Sequence, residues 1–148
     1  KVIDFGIADV NNMGAAMAPA AAETIKAHFQ DLNTGPNDFD LIVTGDLGQL
    51  GKELLLDLLR RDGISIGGKI TDCGTLIFDN TTQDVHAGGS GCGCSAITLC
   101  GYLLEQLNSG KIKKLLFCGT GALLSPTSTQ QGLPIPGVCH AVSISGGR

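Results

Sequence analysis

The sequence is poor in aromatic residues and contains no tryptophan. Aromatic residues make up 4% of the 148 positions, which argues against the stacked aromatic platforms that bind single-stranded nucleic acid. The formal net charge is −4, and basic residues form no run longer than a pair apart from a loose cluster at 111–114. Because nucleic-acid binding requires a basic surface, nucleic acid is not an expected partner.

Apolar runs are short as well. None approaches the ~20 residues that a membrane-spanning helix needs, although 43% of the residues are hydrophobic and 16% are charged, as in ordinary globular domains. The length suits a single domain with a sizeable core. The first residue is lysine, not methionine, and it opens a strand-like run. We therefore expect a piece of a longer protein.

Six cysteines are present, but their pattern does not indicate a disulfide scaffold. They lie among apolar and glycine neighbours, which favours free, buried thiols in a reducing compartment. Cys92 and Cys94 stand where a helix begins, which makes them candidate nucleophiles with His86 or His140 as the base. We expect packed, structural cysteines, since no nucleophile-elbow motif fits. The Cys-x-Cys pair with His86 and Cys73 lacks zinc-site spacing, so no metal is expected.

Helix-like and strand-like patterns alternate along the chain. Apolar residues recur at helical spacing in 17–29, 50–59 and 96–107, and Asp46 with Gln49 is predicted to cap the second of these helices. The stretch 64–74 is expected to be irregular. The predicted strands are residues 1–7, 39–44, 76–78, 115–119 and 138–144.

This order, βαβαβαββ, predicts an α/β fold in which helices are layered on a mostly parallel five-stranded sheet. In such folds the loops at the carboxyl ends of the strands usually carry the site. The loops 44–48, 88–94 and 119–124 are rich in small residues and can all reach the same edge. No second domain boundary and no internal repeat are visible.

The run 86–96, HAGGSGCGCSA, is the most informative segment. Its glycines free backbone N–H groups at a helix start, where an anion or a carbonyl oxygen can dock. We infer a pocket for a polar small molecule. The alternative is that the glycines only permit a tight turn and close packing. A phosphate-binding loop and a dinucleotide-binding glycine signature both fail on spacing.

Five segments together resemble the stage V sporulation protein AD family, from near residue 1 to near residue 145. They are NMGAAMAPAA at 12–21, VTGDLG at 43–48, DCG at 72–74, QDVHAGGSGCGCSA at 83–96 and TGALLSP at 120–126. The resemblance implies a thiolase-like fold, in which two βαβαβαββ halves pack as a pseudo-dimer. Residues 1–148 would form the carboxyl-terminal half-domain, with the amino-terminal half absent from this chain.

The resemblance also implies a role in sporulation. Members of this family bind dipicolinic acid (pyridine-2,6-dicarboxylate) during its uptake into the developing spore. The implied partners are dipicolinic acid, the amino-terminal half of the same protein and other membrane proteins of the stage V sporulation operon. The implied location is inside a spore-forming bacterium, peripheral to the forespore or spore inner membrane. No cofactor is expected; calcium accompanying the acid and a homodimer are left open.

The resemblance to thiolases and ketoacyl synthases extends to positions that carry catalysis in those enzymes. The resemblance implies that Gly45 stands where those enzymes have a catalytic histidine. Gly89 stands at their second histidine or asparagine, and Phe117 stands at the cysteine that thiolases add. This half therefore lacks groups that shuttle a proton or stabilise an enolate, and we expect no enzyme. A residual acyltransferase and a scaffold that only docks membrane partners remain alternatives.

The predicted ligand site is built from backbone and hydroxyl groups. Glycines let the backbone approach the ligand, and the amides at 90–93 with two hydroxyls can hold a carboxylate. The predicted ligand-binding residues are Thr44, Gly45, Asp46, His86, Gly88, Gly89, Ser90, Gly91, Cys92, Gly119, Thr120 and Gly121.

Overall fold

A computed structural model describes residues 1–147 and has a mixed α/β fold with a five-stranded open sheet. The strands are β1 (Val2–Ile3), β2 (Leu41–Thr44), β3 (Ile70–Asp72), β4 (Lys114–Ala122) and β5 (Gly137–Ser145). The helices are α1 (Met13–Asp31), α2 (Gly48–Arg61), α3 (Cys73–Leu76), α4 (Cys94–Thr98), α5 (Leu104–Asn108) and α6 (Pro126–Gln130). Short 3₁₀ and π-helical segments cover Pro36–Asp38 and Leu99–Leu103.

The sheet order is β1-β5-β4-β2-β3. Strand β2 pairs in parallel with both β3 and β4, whereas β5 is antiparallel to β4 and to β1. The expected mostly parallel sheet is therefore a mixed one. The carboxyl ends of β2, β3 and β4 meet at one edge, which places the segments that follow them side by side.

Both faces of the central strands are buried. Along β2 and β4, Ile42 and Leu116 join a core cluster with α1 and α2, while Val43 and Leu115 join a second cluster with the helical segment 94–108. This alternation is typical of strands covered on two sides. Helix α1 lies close to the sheet because half of its buried positions are alanine. Its Gly14 meets Gly51 of α2 so closely that a Cβ on either residue would overlap backbone.

The three long helical patterns predicted from sequence are confirmed. The third forms a continuous helical path from α4 through the π-helical turn to α5. Its buried side chains, Cys94, Thr98, Leu103 and Leu107, face the sheet. The opposite side of this helix is apolar yet exposed, with Ile97 68% and Tyr102 48% accessible.

Two strand predictions in the middle of the chain are wrong. The third strand is Ile70–Asp72, inside the stretch expected to be irregular, and residues 76–78 form no strand. Local hydrogen bonds decide this: the Asp72 carboxylate accepts the Gly74 N–H, and the Thr75 hydroxyl donates to the Asp72 carbonyl. These contacts start helix α3 immediately after β3, and capping chemistry overrides the β propensity of the apolar run.

The ends of the sheet also depart from expectation. The first strand is only two residues long, since Gly6 adopts a left-handed backbone with φ of 74° and donates its N–H to the Asp4 carboxylate. Helix α6 interrupts the connection between β4 and β5, where no helix was predicted. Ser125 caps it by accepting the N–H of Ser128, with Pro126 at the first helical position.

Candidate ligand-binding site

Asp46 joins three segments at the carboxyl edge of the sheet. It lies in the loop after β2, and its Oδ1 accepts a hydrogen bond from the Thr120 hydroxyl of β4 at 3.0 Å. Its Oδ2 accepts from the Ser90 hydroxyl of the glycine-rich loop at 3.3 Å. The backbone N–H of Asp46 donates to the same Thr120 oxygen at 3.0 Å. The loops that were predicted to meet therefore do meet, around one carboxylate.

Asp72 fixes the shape of the loop that carries Asp46. Its carboxylate is fully buried and accepts from the Thr44 hydroxyl at 2.6 Å and from the N–H groups of Leu47, Gly48 and Gly74, each at 2.9 Å. A buried carboxylate is tolerated when donors surround it in this way. The prediction that Asp46 and Gln49 cap α2 is wrong. The N–H groups of Leu47 and Gly48, where the helix begins, donate to Asp72 instead. The Gln49 side-chain amide donates to Glu53.

Glycine is required where these loops touch. A Cβ on Gly45 would lie 2.8 Å from the Thr120 nitrogen and 2.9 Å from its hydroxyl oxygen. Gly48 has φ of 68° and would place a Cβ 2.8 Å from the Ala87 carbonyl, which accepts the Gln49 N–H at 2.7 Å. Gly45 and Gly48 thus permit close approach between the backbones of neighbouring loops.

Two open cavities adjoin Asp46. The first has a volume of about 370 Å³ and is lined by Met13, Met17, Asp46, Ser90, Gly91, Cys92, Ser95, Thr120, Gly121, Ala122 and Leu124. The second has a volume of about 250 Å³ and is lined by Asn11, Asn12, Met13, Gly14, Asp46, Leu47, Gly48, Leu50, Ala87, Gly88, Gly89 and Ser90. Apolar walls with a few convergent hydroxyl and backbone groups are typical of small-molecule sites.

The structure brings most of the predicted residues to these cavities. Eight of the twelve line one or both: Asp46, Gly88, Gly89, Ser90, Gly91, Cys92, Thr120 and Gly121. Four do not. Thr44 is buried against Asp72, and the His86 side chain is 92% exposed near Asp84. Gly45 is buried directly after β2, and Gly119 lies within β4. His86 adopts a left-handed backbone with φ of 51°.

Burial governs the ionisation of the Asp46 carboxyl. It raises the pKa of Asp46 above its ordinary value, and the nearby charge of Asp72 acts in the same direction. The hydrogen bonds from Thr120, Gly91 and Ser90 lower the pKa of Asp46 but do not overcome the burial. The surroundings of Asp46 therefore disfavour its charged form.

The surroundings of two buried cysteines near the site, Cys73 and Cys94, disfavour the thiolate form. Burial raises the pKa of Cys94, whose Sγ contacts the Gly45 carbonyl oxygen at 3.6 Å. Burial and the charge of Asp72 raise the pKa of Cys73 to about 12. All six thiols are free, but the expectation that they are buried holds for four, since Cys92 and Cys100 are exposed.

Residues 1–147 contain neither a candidate metal site nor a helix suited to span a membrane. No three His, Cys, Asp or Glu side chains there are grouped so as to hold a metal ion. In the same residues, every helix is too short or too polar to cross a bilayer.

Sequence reasoning missed the residue that organises the site and part of its wall. Asp72 was visible only as part of the segment 72–74, and three of its four donors lie 24 to 28 residues away, in the segment 44–48. The apolar wall of the first cavity includes Met13, Met17 and Leu124. Nothing in their sequence positions, on a helix or in a loop, indicated that they would line a cavity. Ser95 could have been predicted to line the site, since it is a small polar residue directly after the glycine-rich loop 88–94.

The fold and the site define an α/β protein with two adjoining cavities, of mixed polar and apolar lining, where loops converge at the carboxyl edge of its sheet. Residues 1–145 match the family model described as Stage V sporulation protein AD. The chain is 51% identical over 142 residues to the stage V sporulation protein AD of Bacillus subtilis (strain 168), covering 96% of this chain and 42% of that relative. The chain belongs to the stage V sporulation protein AD family. It spans less than half the length of the curated relative it matches.

Proposed function

We propose that this chain forms part of a non-catalytic sporulation protein that binds dipicolinic acid and aids its uptake into the developing spore. The observation that carries the proposal is the first cavity, where the hydroxyls of Ser90, Ser95 and Thr120 converge between small residues and methionine side chains. Hydroxyl and amide donors suit the carboxylates of a planar acid, and the methionine side chains suit its ring. If calcium accompanies the acid, the ligand's own carboxylates supply its preferred oxygen ligands.

The positions that resemble the catalytic ones of thiolases carry no acid–base side chain in this chain, which supports binding rather than thiolase-type catalysis. The three positions that resemble the catalytic ones of thiolases carry Gly45, Gly89 and Phe117. Phe117 packs in the core cluster with Leu103 and Leu107, away from both cavities. Among the described residues that line the cavities, Asp46 and Cys92 are the titratable ones. General acid–base catalysis of thiolase type would need a second, suitably placed group.

An exposed apolar face supports the proposed thiolase-like half-domain and its partner half. Helix α4 and the π-helical turn present Ile97, Gly101 and Tyr102 beside Leu76 and Ile77 around an open depression of about 510 Å³. Such a patch is typical of an interaction surface. We propose that the amino-terminal half covers it, and that the assembled protein lies at the inner spore membrane beside other proteins of its operon. A homodimer is the competing occupant.

Calorimetric titration of the full-length protein with dipicolinate tests the binding proposal. Saturable heat with one site per chain is expected, and Ser95→Leu, which fills the first cavity, should weaken binding by at least about ten-fold. The matched control is Ser65→Leu, which changes an exposed loop residue. A silent titration, verified by equilibrium dialysis, would favour a scaffold. Turnover of acyl-CoA through a cysteine adduct would favour an acyltransferase.

A further inference from the structure

The two cavities share one carboxylate and no cation. Asp46 lines both, and no lysine, arginine or histidine in the described part of the chain lines either. A carboxylate ligand held by the hydroxyl and amide groups of the site would therefore sit beside a like charge. Two carboxylates at close range are unfavourable unless one of them holds a proton.

The groups around Asp46 do not relieve this repulsion. Asp72, on β3, adds a second negative charge nearby. Cys94 on α4 and Cys73 on α3 are buried thiols whose pKa values are raised, and they supply no positive charge. Cys92 lines the first cavity, and the contacts from α1, β4 and the glycine-rich loop are neutral methionine, threonine and serine side chains.

We propose that Asp46 takes up a proton when a carboxylate ligand enters these cavities, so that ligand binding is linked to protonation. This inference rests on the proposed function and concerns the regulation of the same site. The proton converts Asp46 from an acceptor that repels the ligand into a donor that can bond to it. The hydrogen bond from Thr120 to the other carboxyl oxygen holds the group in place.

The linkage between ligand binding and protonation of Asp46 has one direction: affinity falls as the pH rises. Binding favours the protonated form of Asp46, so the ligand raises the proton affinity of that carboxyl. Above the pKa of Asp46 in the free protein, affinity falls by up to about ten-fold for each pH unit. A site of this kind releases its ligand as the pH rises and retains it as the pH falls.

The test is calorimetry of the full-length protein with dipicolinate in the presence of a chelator, from about pH 6 to about pH 8.5, where both carboxyls of the acid are ionised. Titration in two buffers of different ionisation enthalpy measures the protons taken up on binding. At the upper end of this pH range, the protein should take up close to one proton for each ligand bound. Its affinity for dipicolinate should fall over the same range. Asp46→Asn mimics the protonated state, so it should bind with no proton uptake, and its affinity should change by less than about two-fold across this pH range.

Two further variants make the outcome specific. Asp84→Asn alters an exposed carboxylate that lines neither cavity, and it should behave like the parent protein. Thr120→Val removes a hydrogen bond that stabilises the charged form of Asp46, so the pKa of Asp46 should rise further. The pH at which affinity for the ligand begins to fall should therefore be higher in this variant. This variant tests the inference if Asp46→Asn does not fold. Binding without proton uptake, or linkage that persists in Asp46→Asn, overturns the inference and leaves the binding function standing. No binding at any pH overturns both.

Discussion

The hydroxyl of Thr120 accepts the backbone N–H of Asp46 and donates to the Oδ1 of the same residue, each at 3.0 Å. The two residues are 74 positions apart, at the end of β4 and in the loop after β2. One side chain therefore fixes both the backbone and the carboxylate of Asp46. Because Gly45 lies against the same threonine, the loop has little room to settle elsewhere.

Thr120→Val should destabilise the protein by about 1–2 kcal/mol, since it leaves the partly buried Asp46 N–H without an acceptor while keeping the side-chain shape. Urea denaturation followed by circular dichroism measures the change. The control is Thr127→Val, an exposed position on α6, which should stay within about 0.5 kcal/mol of the parent. Equal effects of the two substitutions would mean that the Thr120 hydroxyl contributes nothing to the site.

Asp72→Asn should cost about 3–5 kcal/mol, because the amide nitrogen would face N–H donors that now bond to a buried carboxylate. Denaturation in urea at neutral pH gives this value. Asp84→Asn, on an exposed side chain, is the matched control and should have an effect below about 0.5 kcal/mol. A small loss for Asp72→Asn would contradict the role assigned to Asp72 in shaping the loop.

The pH dependence of stability should report on Asp46. Burial raises its pKa in the folded protein, so the folded state holds this proton more tightly than the unfolded state does. Stability therefore falls as pH rises from the ordinary carboxyl pKa through the raised one. Asp46→Asn lacks this loss, so its stability relative to the parent should improve as the pH rises through the same interval. Parallel pH profiles of the two proteins in urea titrations would contradict the raised pKa.

Thiol reactivity tests which surfaces are free. Cys92 and Cys100 are exposed and the other four cysteines are buried. In residues 1–148 alone, a small aromatic disulfide reagent should label these two quickly and the rest only in denaturant. Cys100 lies on the exposed side of the 94–108 helix, so it should become protected in the full-length protein while Cys92 stays reactive. Rapid labelling of Cys100 in both forms would place the partner half on another surface.

Periodic patterns predicted the long elements well. Apolar residues at helical spacing, or in short continuous runs, mark the elements that bury one face or both faces. These elements are α1, α2, the helix at 94–108, β2, β4 and β5. Each of these signals is local, since it depends on residues a few positions apart. The glycine-rich loops were also placed correctly at the sheet edge.

What sequence could not supply is the long-range hydrogen bonding. Strand β3 is three residues long, too short for a period, and its identity depends on parallel pairing with β2. Asp46 has the position of a helix cap, yet its side chain turns to Thr120 and Ser90 while Asp72 caps α2 from another strand. Partners separated by 25 to 74 residues leave no local pattern.

A crystal structure of the full-length protein soaked with dipicolinate tests the central claim most directly. Density for the acid is expected in the first cavity, with a carboxylate within hydrogen-bond distance of the Ser90 or Thr120 hydroxyl and beside Asp46. Density for the acid at a different surface, with this cavity filled by side chains of the amino-terminal half, would contradict it.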